Sequence, residues 1–384
     1  MGKNRKKILF VIPDFWLAGT NKSLENLLSI LDEDKFDINV FSLSNDGNDY
    51  VKQQFKPYLV KPSICYYVCS QNYYTRKVFN LLTLRKDRIK FVLQKKQLYH
   101  LCKVNNYDCI IAYSEGAVTK LVAELNVSSK KIAWIHWFYG SGVINDCDKK
   151  KDAFTYSNFD NIVCVSKKAA EAFMNYFPKL SNIVQSIYNV LDTKRIIEQG
   201  KVAANDLNIN NKTFIIVSVG RMAWGKQLHL IPIILSQALE KTKNKDIIWY
   251  IIGEQVNSQN EFEKNLREHK MEGNVIHLGV RDNPYPYIKQ ADLLVCPSIA
   301  ESFSYVINEA KVLHTPVMAN DFPVAYEMLN DMTGIVCPVS NMGRKLAELI
   351  DNENGEYSKV KDGVQSFVYD NHAIIKQIDD LMSK

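Results

Sequence analysis

Two loops in the second half of the chain carry side chains suited to binding an anionic ligand. In the first loop Gly220 ends an apolar run and lets the chain turn, and Arg221 and Lys226 follow it five residues apart. A guanidinium binds phosphate oxygens in pairs, and an ammonium adds a mobile point charge. The spacing predicts an anion site, although a solvated loop with two surface cations has the same pattern.

The second loop, residues 301–305, is small and polar and leads into an apolar helical segment. Free amide N–H groups at a helix N-terminus attract anions, and carboxylates accept paired hydrogen bonds from vicinal hydroxyls. Glu301 and Glu309 would lie about 12 Å apart if the whole segment were helical, comparable to the separation of the two hydroxyl-rich ends of a sugar nucleotide. Alone, this spacing also fits a helix-terminal charge and an ion pair; together with the first loop it indicates a sugar-nucleotide site.

Short apolar strands alternate with amphipathic helical patterns from Ile8–Ile12 onward, and a second series begins near residue 213. This alternation predicts α/β architecture with parallel sheets covered on both faces. We expect an N-terminal acceptor-binding domain over 1–200, a C-terminal donor-binding domain over 201–366 and a final helix over 367–384 that packs back on the N-terminal domain. The polar stretch 205–212 is the predicted linker.

Length and composition support two soluble domains. The chain has 384 residues, 46% hydrophobic and 23% charged, and domains commonly have about 100–200 residues. No apolar run approaches the 18–20 residues, roughly, that span a bilayer, and the first apolar segment is too short for a signal peptide. Eight scattered cysteines without CxxC or zinc spacing favour a reducing compartment. We therefore expect a cytoplasmic protein.

Positive charge is concentrated in the first half of the chain. Residues 1–200 hold 29 basic and 19 acidic residues, against 19 and 23 in residues 201–384. The segment Arg76–Lys96 holds eight basic residues and one acid, with apolar residues between them. This pattern favours peripheral contact with an anionic membrane, the inner leaflet of the cell membrane, although a solvated helix pair has the same composition. No nucleic-acid motif accompanies the charge, so no nucleic-acid partner is expected.

Nearly the whole chain resembles the retaining group 1 glycosyltransferases of glycosyltransferase family 4. The resemblance implies the GT-B fold, in which two Rossmann-like, doubly wound parallel-sheet domains face each other across a cleft. The block 283–287 is similar to members that build bacterial capsule, O-antigen and other surface polysaccharides. The matching blocks are 8–13, 17–19, 134–136, 163–168, 187–192, 220–226, 252–254, 277–279, 285–292, 297–298 and 301–309.

The resemblance also implies residue roles. Arg221 and Lys226 would neutralise the donor diphosphate, Glu309 would hold the ribose hydroxyls, Glu301 would contact the donor sugar, and His136 would lie near the reacting centre. Many members have glycine where this chain has Ser302 and Ser304, and two adjacent glycines where it has Ala18-Gly19. The predicted catalytic residues are His136, Arg221, Lys226 and Glu301. The predicted donor-binding residues are Gly19, Gly220, Arg221, Lys226, Gly253, Val280, Arg281, Glu301, Ser302, Phe303, Ser304, Tyr305 and Glu309.

A departing nucleoside diphosphate gathers negative charge, which must be stabilised where it develops. The acidic strings 32–34 and 146–148 do not follow apolar strands, so we expect no metal and no cofactor, with Arg and Lys in that role. The predicted reaction is retaining, metal-independent transfer of a hexose or N-acetylhexosamine from a nucleotide-sugar, with UDP as the expected nucleotide, to a glycan or lipid-linked acceptor. For retention, the resemblance implies that the leaving phosphate helps to accept the acceptor's proton.

Two alternative functions fit the same sequence, and His136 has an alternative structural interpretation. A sugar-nucleotide epimerase shares the fold but would need acid and base groups instead of hydroxyl-binding glutamates. A non-catalytic accessory subunit of another transferase could retain the same binding residues. His136 lies between Trp134 and Trp137, and an isolated histidine beside apolar residues is often a core group. Nicotinamide chemistry is disfavoured because no G-x-G-x-x-G follows a predicted strand.

Overall fold

The chain divides into two compact units in the computed structural model. Unit 1 comprises residues 1–190 and 371–384, and unit 2 comprises residues 191–370. The structure describes residues 5–16, 18–60, 86–140, 149–204, 206–207 and 213–383, with only the backbone at 86–89. Each unit contains a six-stranded sheet in which all paired strands run parallel.

Unit 1 has the strand order β2-β1-β3-β4-β5-β6. Its strands are β1 Lys6–Ile12, β2 Phe36–Ser42, β3 Cys109–Ala112, β4 Lys130–Ile135, β5 Asn161–Cys164 and β6 Val184–Ser186. Its helices are α1 Gly19–Leu28, α2 Asp49–Phe55, α3 Lys86–Asn105, α4 Ala117–Ala123, α5 Lys149–Tyr156 and α6 Lys167–Tyr176, followed by a 3₁₀ turn Pro178–Ile183. The last helix of the chain, Asn371–Ser383, also lies in this unit.

The central strands of unit 1 are buried on both faces. Every residue from Ile8 to Ile12 is 0% exposed, which explains why β1 is a continuous apolar run without polar alternation. Ile8 pairs with Ile38 on one side and with Cys109 on the other. The order reverses beside β1, since β2 lies on one side of it and β3 on the other, which makes the space between β1 and β3 the switch point of this sheet.

Unit 2 has the strand order β12-β11-β10-β7-β8-β9, so its switch point lies between β7 and β10. Its strands are β7 Phe214–Val219, β8 Ile247–Ile252, β9 Val275–Gly279, β10 Leu293–Cys296, β11 Val317–Ala319 and β12 Gly334–Val336. Its helices are α7 Thr193–Gly200, α8 Ile231–Lys241, α9 Gln259–Glu268, α10 Tyr285–Gln290, α11 Tyr305–Val312, α12 Pro323–Met328, α13 Met342–Asp351 and α14 Glu356–Val364. Short 3₁₀ turns are Trp224–Lys226, Leu228–Leu230 and Val339–Asn341. The last helix of unit 1, Asn371–Ser383, is α15 in chain order.

The strand ends of unit 2 meet closely at Gly253. The Gly253 N–H donates to Gly279 O at 2.9 Å, and the Gly220 N–H donates to Ile252 O at 2.9 Å. A Cβ at Gly253 would lie 1.9 Å from Gly220 O, and its φ is +144°. Only glycine fits this approach, so Gly253 shapes the loops that follow β7, β8 and β9.

The predicted α/β class and parallel sheets are confirmed, and some element boundaries differ. Apolar residues at helical spacing predict a first helix over Ser23–Leu31. Helix α1 instead begins at Gly19, four residues earlier, because the small residues of the loop are part of its first turn. The segment 76–85 and most of the predicted linker 205–212 lie outside the described residues. Within the described ranges, no helix is both long enough and apolar enough to cross a membrane.

Candidate functional site

The two loops singled out in the sequence flank the switch point of unit 2. Gly220 directly follows β7 and Pro297 directly follows β10, and these two strands are neighbours in the sheet. The Ile299 N–H donates to Gly225 O at 2.9 Å, which joins the loops through their backbones. Ligands of open parallel sheets bind beyond the carboxyl ends of the strands at such a point.

Lys226 and Glu301, 75 residues apart in sequence, form an ion pair between Lys226 Nζ and Glu301 Oε1. The hydroxyl of Ser298, a residue that is 1% exposed, donates to the same carboxylate oxygen at 2.7 Å. Burial opposes the charged form of Lys226, but Glu301 outweighs it and raises the pKa of the ammonium. Lys226 therefore stays protonated and is held at the junction of both loops.

Arg221 lies on the same loop with an exposed side chain and makes no ion pair within the described part of the chain. The positive charge of Arg221 lowers the pKa of Lys226, but this effect is smaller than that of Glu301, which raises it. An ammonium has three N–H donors, so Lys226 can keep Glu301 and still donate to a second anion. The loop thus presents a mobile guanidinium beside a fixed ammonium.

The loop 301–304 precedes helix α11, so Glu301 lies outside the helix that carries Glu309. Ser304 is the last residue before the helix and has φ +60°, a conformation that favours glycine. Its hydroxyl is buried and has no hydrogen-bond partner among the described residues. The local backbone therefore keeps the form that glycine adopts most easily. Phe303 anchors the loop at 2% exposure, with its ring 5.1 Å from that of Tyr305.

Glu309 is 3% exposed and accepts a hydrogen bond from the Tyr285 hydroxyl at 3.2 Å. A buried carboxylate is stable only when hydrogen bonds satisfy it, and Tyr285 supplies one of them from helix α10. Tyr285 and Ser298 lie in blocks that match the family pattern. The resemblance assigned neither residue a role. Each of the two residues donates a hydrogen bond to a predicted site carboxylate. The sequence offered only one indication of these roles, the position of each residue directly after a proline, Pro284 or Pro297.

Arg281 and Val280 follow β9 at the turn formed by Gly279. The Arg281 guanidinium pairs with Asp206 at 2.8 Å, and its Nε donates to the Tyr287 hydroxyl at 3.1 Å. Tyr287 in turn donates to Asp206 at 2.7 Å. Arg281 is thus engaged within unit 2, while Val280 is 55% exposed.

The two predicted residues of unit 1 follow different strands. Gly19 begins helix α1 after β1, and His136 follows β4 directly. The His136 ring lies 4.8 Å from that of Tyr113, and burial lowers the pKa of His136 to about 3, so the imidazole is neutral at pH 7.

Glu115 is a buried residue beside His136 that the sequence did not reveal. Its Oε1 accepts the backbone N–H of His136 at 2.5 Å and that of Trp137 at 2.7 Å. Burial raises the pKa of Glu115 to about 7 against these bonds. Its only sequence signal was its position three residues after an apolar strand.

The structure therefore brings Gly220, Lys226, Gly253 and Glu301 together at one edge of unit 2 and places Glu309 on the helix that follows. His136 and Gly19 belong to unit 1. Among the residues described, no three His, Cys, Asp or Glu side chains converge as metal ligands. The string Asp32-Glu33-Asp34 is a turn in which Asp32 accepts the Asp34 N–H at 2.9 Å, and residues 146–148 lie outside the described ranges.

Comparison with known proteins gives a family-model match for unit 2 and a fold for the chain. Residues 201–383 match the family model of the glycosyl transferases group 1. The N-acetylgalactosamine-N,N'-diacetylbacillosaminyl-diphospho-undecaprenol 4-alpha-N-acetylgalactosaminyltransferase of Campylobacter jejuni is 28% identical over 217 residues, 52% of this chain and 56% of that protein. The O-antigen biosynthesis glycosyltransferase WclY of Escherichia coli is 24% identical over 176 residues, 45% of this chain and 47% of that protein. The matches thus span about half the length of these relatives.

A solved structure matches almost the entire chain. The crystal structure of Anabaena Alr3699/HepE in complex with UDP and glucose has a TM-score of 0.77 and 17% identity, covering 99% of this chain and 100% of that chain. At this identity the likeness shows the fold, which is GT-B.

Proposed function

We propose that the protein is a glycosyltransferase whose unit 2 binds a nucleotide-sugar, since residues 201–383 match the family model of the glycosyl transferases group 1 and the chain has the GT-B fold. The observation that carries the proposal is the Lys226–Glu301 pair beside the exposed Arg221 at the switch point of unit 2. Lys226 and Arg221 bind the diphosphate, and Glu309 binds hydroxyls of the nucleoside. Glu301 and the amides of residues 303–305 bind the sugar and its phosphate.

The transfer proceeds without a metal ion and with retention of configuration in this proposal. The C–O bond between the sugar and the diphosphate breaks, and the leaving phosphate gains charge that Arg221 and Lys226 stabilise. An acceptor hydroxyl attacks the same face of the sugar, and its proton passes to the leaving phosphate oxygen. No protein nucleophile is needed, so Glu301 serves as a hydrogen-bond acceptor that positions the sugar and Lys226.

The proposed substrates are a UDP-sugar carrying a hexose or N-acetylhexosamine and a glycan or lipid-linked acceptor, in the synthesis of a bacterial surface polysaccharide. The names of the Campylobacter jejuni and Escherichia coli relatives support the acceptor class, and the UDP and glucose bound to the Anabaena protein support the donor class. An epimerase is less well supported, because neither compared relative carries that activity in its name.

Calorimetry with UDP-, GDP-, ADP- and CMP-sugars in the presence of EDTA tests the donor site. We expect one nucleotide class to bind without metal. A strict requirement for Mg²⁺ or Mn²⁺ would contradict the role given to Arg221 and Lys226. Conversion of that donor into its epimeric sugar nucleotide without any acceptor would instead identify an epimerase.

Substitution at the two anchoring residues tests the site itself. Lys226→Ala and Glu309→Ala should each lower turnover by about a hundredfold to a thousandfold while the fold survives. The first removes a cation that stabilises the charge of the leaving diphosphate, and the second removes a carboxylate that positions the nucleoside. Lys264→Ala is a matched control, because Lys264 is exposed on helix α9 and pairs with Glu261 on the same helix. Near-normal turnover in Lys226→Ala or Glu309→Ala would remove that residue from the site.

We further propose that the basic segment Arg76–Lys96 binds an anionic leaflet and brings the cytoplasmic enzyme to a lipid-linked acceptor. In the described part of this segment, Phe91 packs against the core of unit 1 while Val92 is 49% exposed. Charge reversal at Arg85, Lys86 and Arg88 should abolish co-sedimentation with phosphatidylglycerol vesicles. Unchanged sedimentation would exclude this contact.

A further inference from the structure

A second group of polar side chains lies at the switch point of unit 1. Glu115 belongs to the loop that follows β3, one of the two strands that flank this switch point. Its Oε1 accepts two backbone N–H groups from the loop that follows β4, those of His136 and Trp137. The carboxylate thus connects two neighbouring loops at the sheet edge where parallel sheets bind their ligands.

The other oxygen of this carboxylate is not used within the described part of the chain. Glu115 is 6% exposed, and its Oε2 is buried without a hydrogen-bond partner among those residues. The same holds for His136 Nε2. Leaving one buried polar atom unpaired costs about 1–3 kcal/mol, so these two atoms on adjacent loops are candidate contacts for a ligand.

The chemistry of these atoms selects a hydroxyl-rich ligand. An ionised carboxylate only accepts hydrogen bonds, whereas a neutral imidazole nitrogen either donates or accepts. A hydroxyl does both, so neighbouring hydroxyls of a sugar ring satisfy the two atoms together. Trp137 follows His136 with its side chain 37% exposed, and an indole face packs against the apolar C–H face of a sugar.

We propose that Glu115, His136 and Trp137 form a binding subsite for a sugar residue of the acceptor, in which Glu115 Oε2 accepts a hydrogen bond from a ring hydroxyl. This inference rests on the proposed glycosyltransferase function and assigns the acceptor to a glycan. Glu115 acts here as a binding and positioning residue, because the same carboxylate holds the His136–Trp137 backbone in place.

Glu115 is the member of the subsite that ionises near neutral pH. His136 is neutral at pH 7. Burial raises the pKa values of Tyr139, Tyr156 and Cys164, and repulsion from the Glu115 carboxylate raises them further. Burial raises the pKa of Glu115 itself to about 7. A hydroxyl donated to Oε2 favours the ionised form, so sugar binding and ionisation of Glu115 support each other.

Glu115→Gln separates the subsite from a purely structural clamp. Glutamine has the same shape, and its carbonyl oxygen can still accept both backbone N–H groups, so a clamp would be preserved. Its NH₂ group replaces the acceptor Oε2 with a donor, so sugar binding should weaken by about tenfold, the usual difference between a charged and a neutral hydrogen bond. Glu171→Gln is the matched control, since Glu171 is exposed on helix α6 and pairs with Lys168.

The readout is saturation-transfer difference NMR with methyl glycosides of glucose, galactose and N-acetylglucosamine, recorded on the full chain with saturating UDP. We expect a glycoside signal in the wild type and in Glu171→Gln that weakens about tenfold in Glu115→Gln. Trp137→Ala should also lose it, and since the ring is partly exposed this variant keeps the test readable if Glu115→Gln fails to fold.

Equal glycoside binding in Glu115→Gln and the wild type would overturn the inference and leave Glu115 as a clamp. Binding of UDP without any of the three glycosides would also overturn it, while the proposed donor site would stand. Glycoside binding that depends on Glu115, without transfer from any nucleotide-sugar, would support the subsite and refute the proposed transfer. The two failures are therefore distinguishable.

Discussion

At the scale of single residues, both carboxylates of the proposed donor site are held by hydroxyl groups. Ser298 donates to Glu301, and Tyr285 donates to Glu309. A hydrogen bond to a charged group contributes about 1.5–3 kcal/mol, enough to fix the orientation of each carboxylate before a ligand binds. Such preorganisation lowers the cost of ordering the site on binding.

Tyr285→Phe should therefore weaken donor binding by about tenfold, because Glu309 loses a hydrogen bond of about 1.4 kcal/mol or more. Calorimetry with the nucleotide-sugar that the wild type binds measures this. Tyr357→Phe is the control: it also removes a hydroxyl of unit 2, one that donates to Asp292 O at 3.1 Å just before β10, at the opposite edge of the sheet. Equal losses in both variants would mean that Tyr285 acts through stability alone.

A buried lysine on helix α11, which also carries Glu309, makes the free energy of unfolding depend on pH in the alkaline range. Lys311 is 5% exposed, donates to Met328 O at 2.5 Å and lies 4.3 Å from the centre of the Phe367 ring. Burial lowers the pKa of Lys311 to about 8 from 10.5. Between those values the unfolded chain binds more protons than the folded chain, so this group makes the protein more stable as pH rises.

Urea unfolding of the wild type and Lys311→Met at pH 8 and pH 10 isolates this effect. The difference in unfolding free energy should shift in favour of the wild type by about 2 kcal/mol at the higher pH. A difference that does not change with pH would show that Lys311 keeps an ordinary pKa in the folded state.

At the scale of elements, the site depends on how closely the strand ends of unit 2 approach one another. Gly253→Ala places a Cβ 1.9 Å from Gly220 O at φ +144°. We expect a loss of about 3 kcal/mol or more in unfolding free energy, because the clash is with backbone and the φ is strained. Weaker donor binding should accompany it, since the Arg221 loop must move.

Gly273→Ala is the control, because a Cβ at Gly273 meets nothing within 4 Å. It should change the unfolding free energy by no more than about 0.5 kcal/mol. Urea unfolding of both variants decides the question. Similar effects of the two substitutions would contradict the close approach of the strand ends.

At the scale of the whole molecule, unit 1 is built from both ends of the chain. Helix α15 buries Ile374, Ile378, Leu381 and Met382. Its Leu381 carbonyl accepts Lys130 Nζ from β4 at 2.8 Å, and Asp379 pairs with Lys35 at 2.7 Å. Apolar burial dominates this attachment, because each buried side chain contributes about 1.5–3 kcal/mol as an upper estimate.

Removal of residues 371–384 should therefore raise hydrogen exchange in β1 and β4 of unit 1 and leave the strands of unit 2 unchanged. Lys35→Met removes the exposed ammonium that pairs with Asp379 and Asp32, and it should leave exchange in both units close to that of the wild type. Increased exchange in unit 2 on removal of the helix would show that its stabilising contacts lie elsewhere.

The sequence by itself determined the fold class, the two series of strands and the positions of the two loops that form the proposed donor site. Apolar runs such as Ile8–Ile12 identify buried parallel strands because the pattern is local. The cations of residues 220–226 and the glutamates at 301 and 309 are visible for the same reason, since each group is contiguous or separated by one helix.

Only the tertiary structure decided which of these residues meet. Lys226 and Glu301 pair across 75 residues, Arg281 is engaged by Asp206, and Glu115 reaches the backbone of His136 from a neighbouring loop. Such contacts depend on which strands lie side by side and on where each loop leaves the sheet. Burial, which shifts the pKa values of Glu115, His136 and Lys311, likewise follows from packing between distant segments and has no local signature in the sequence.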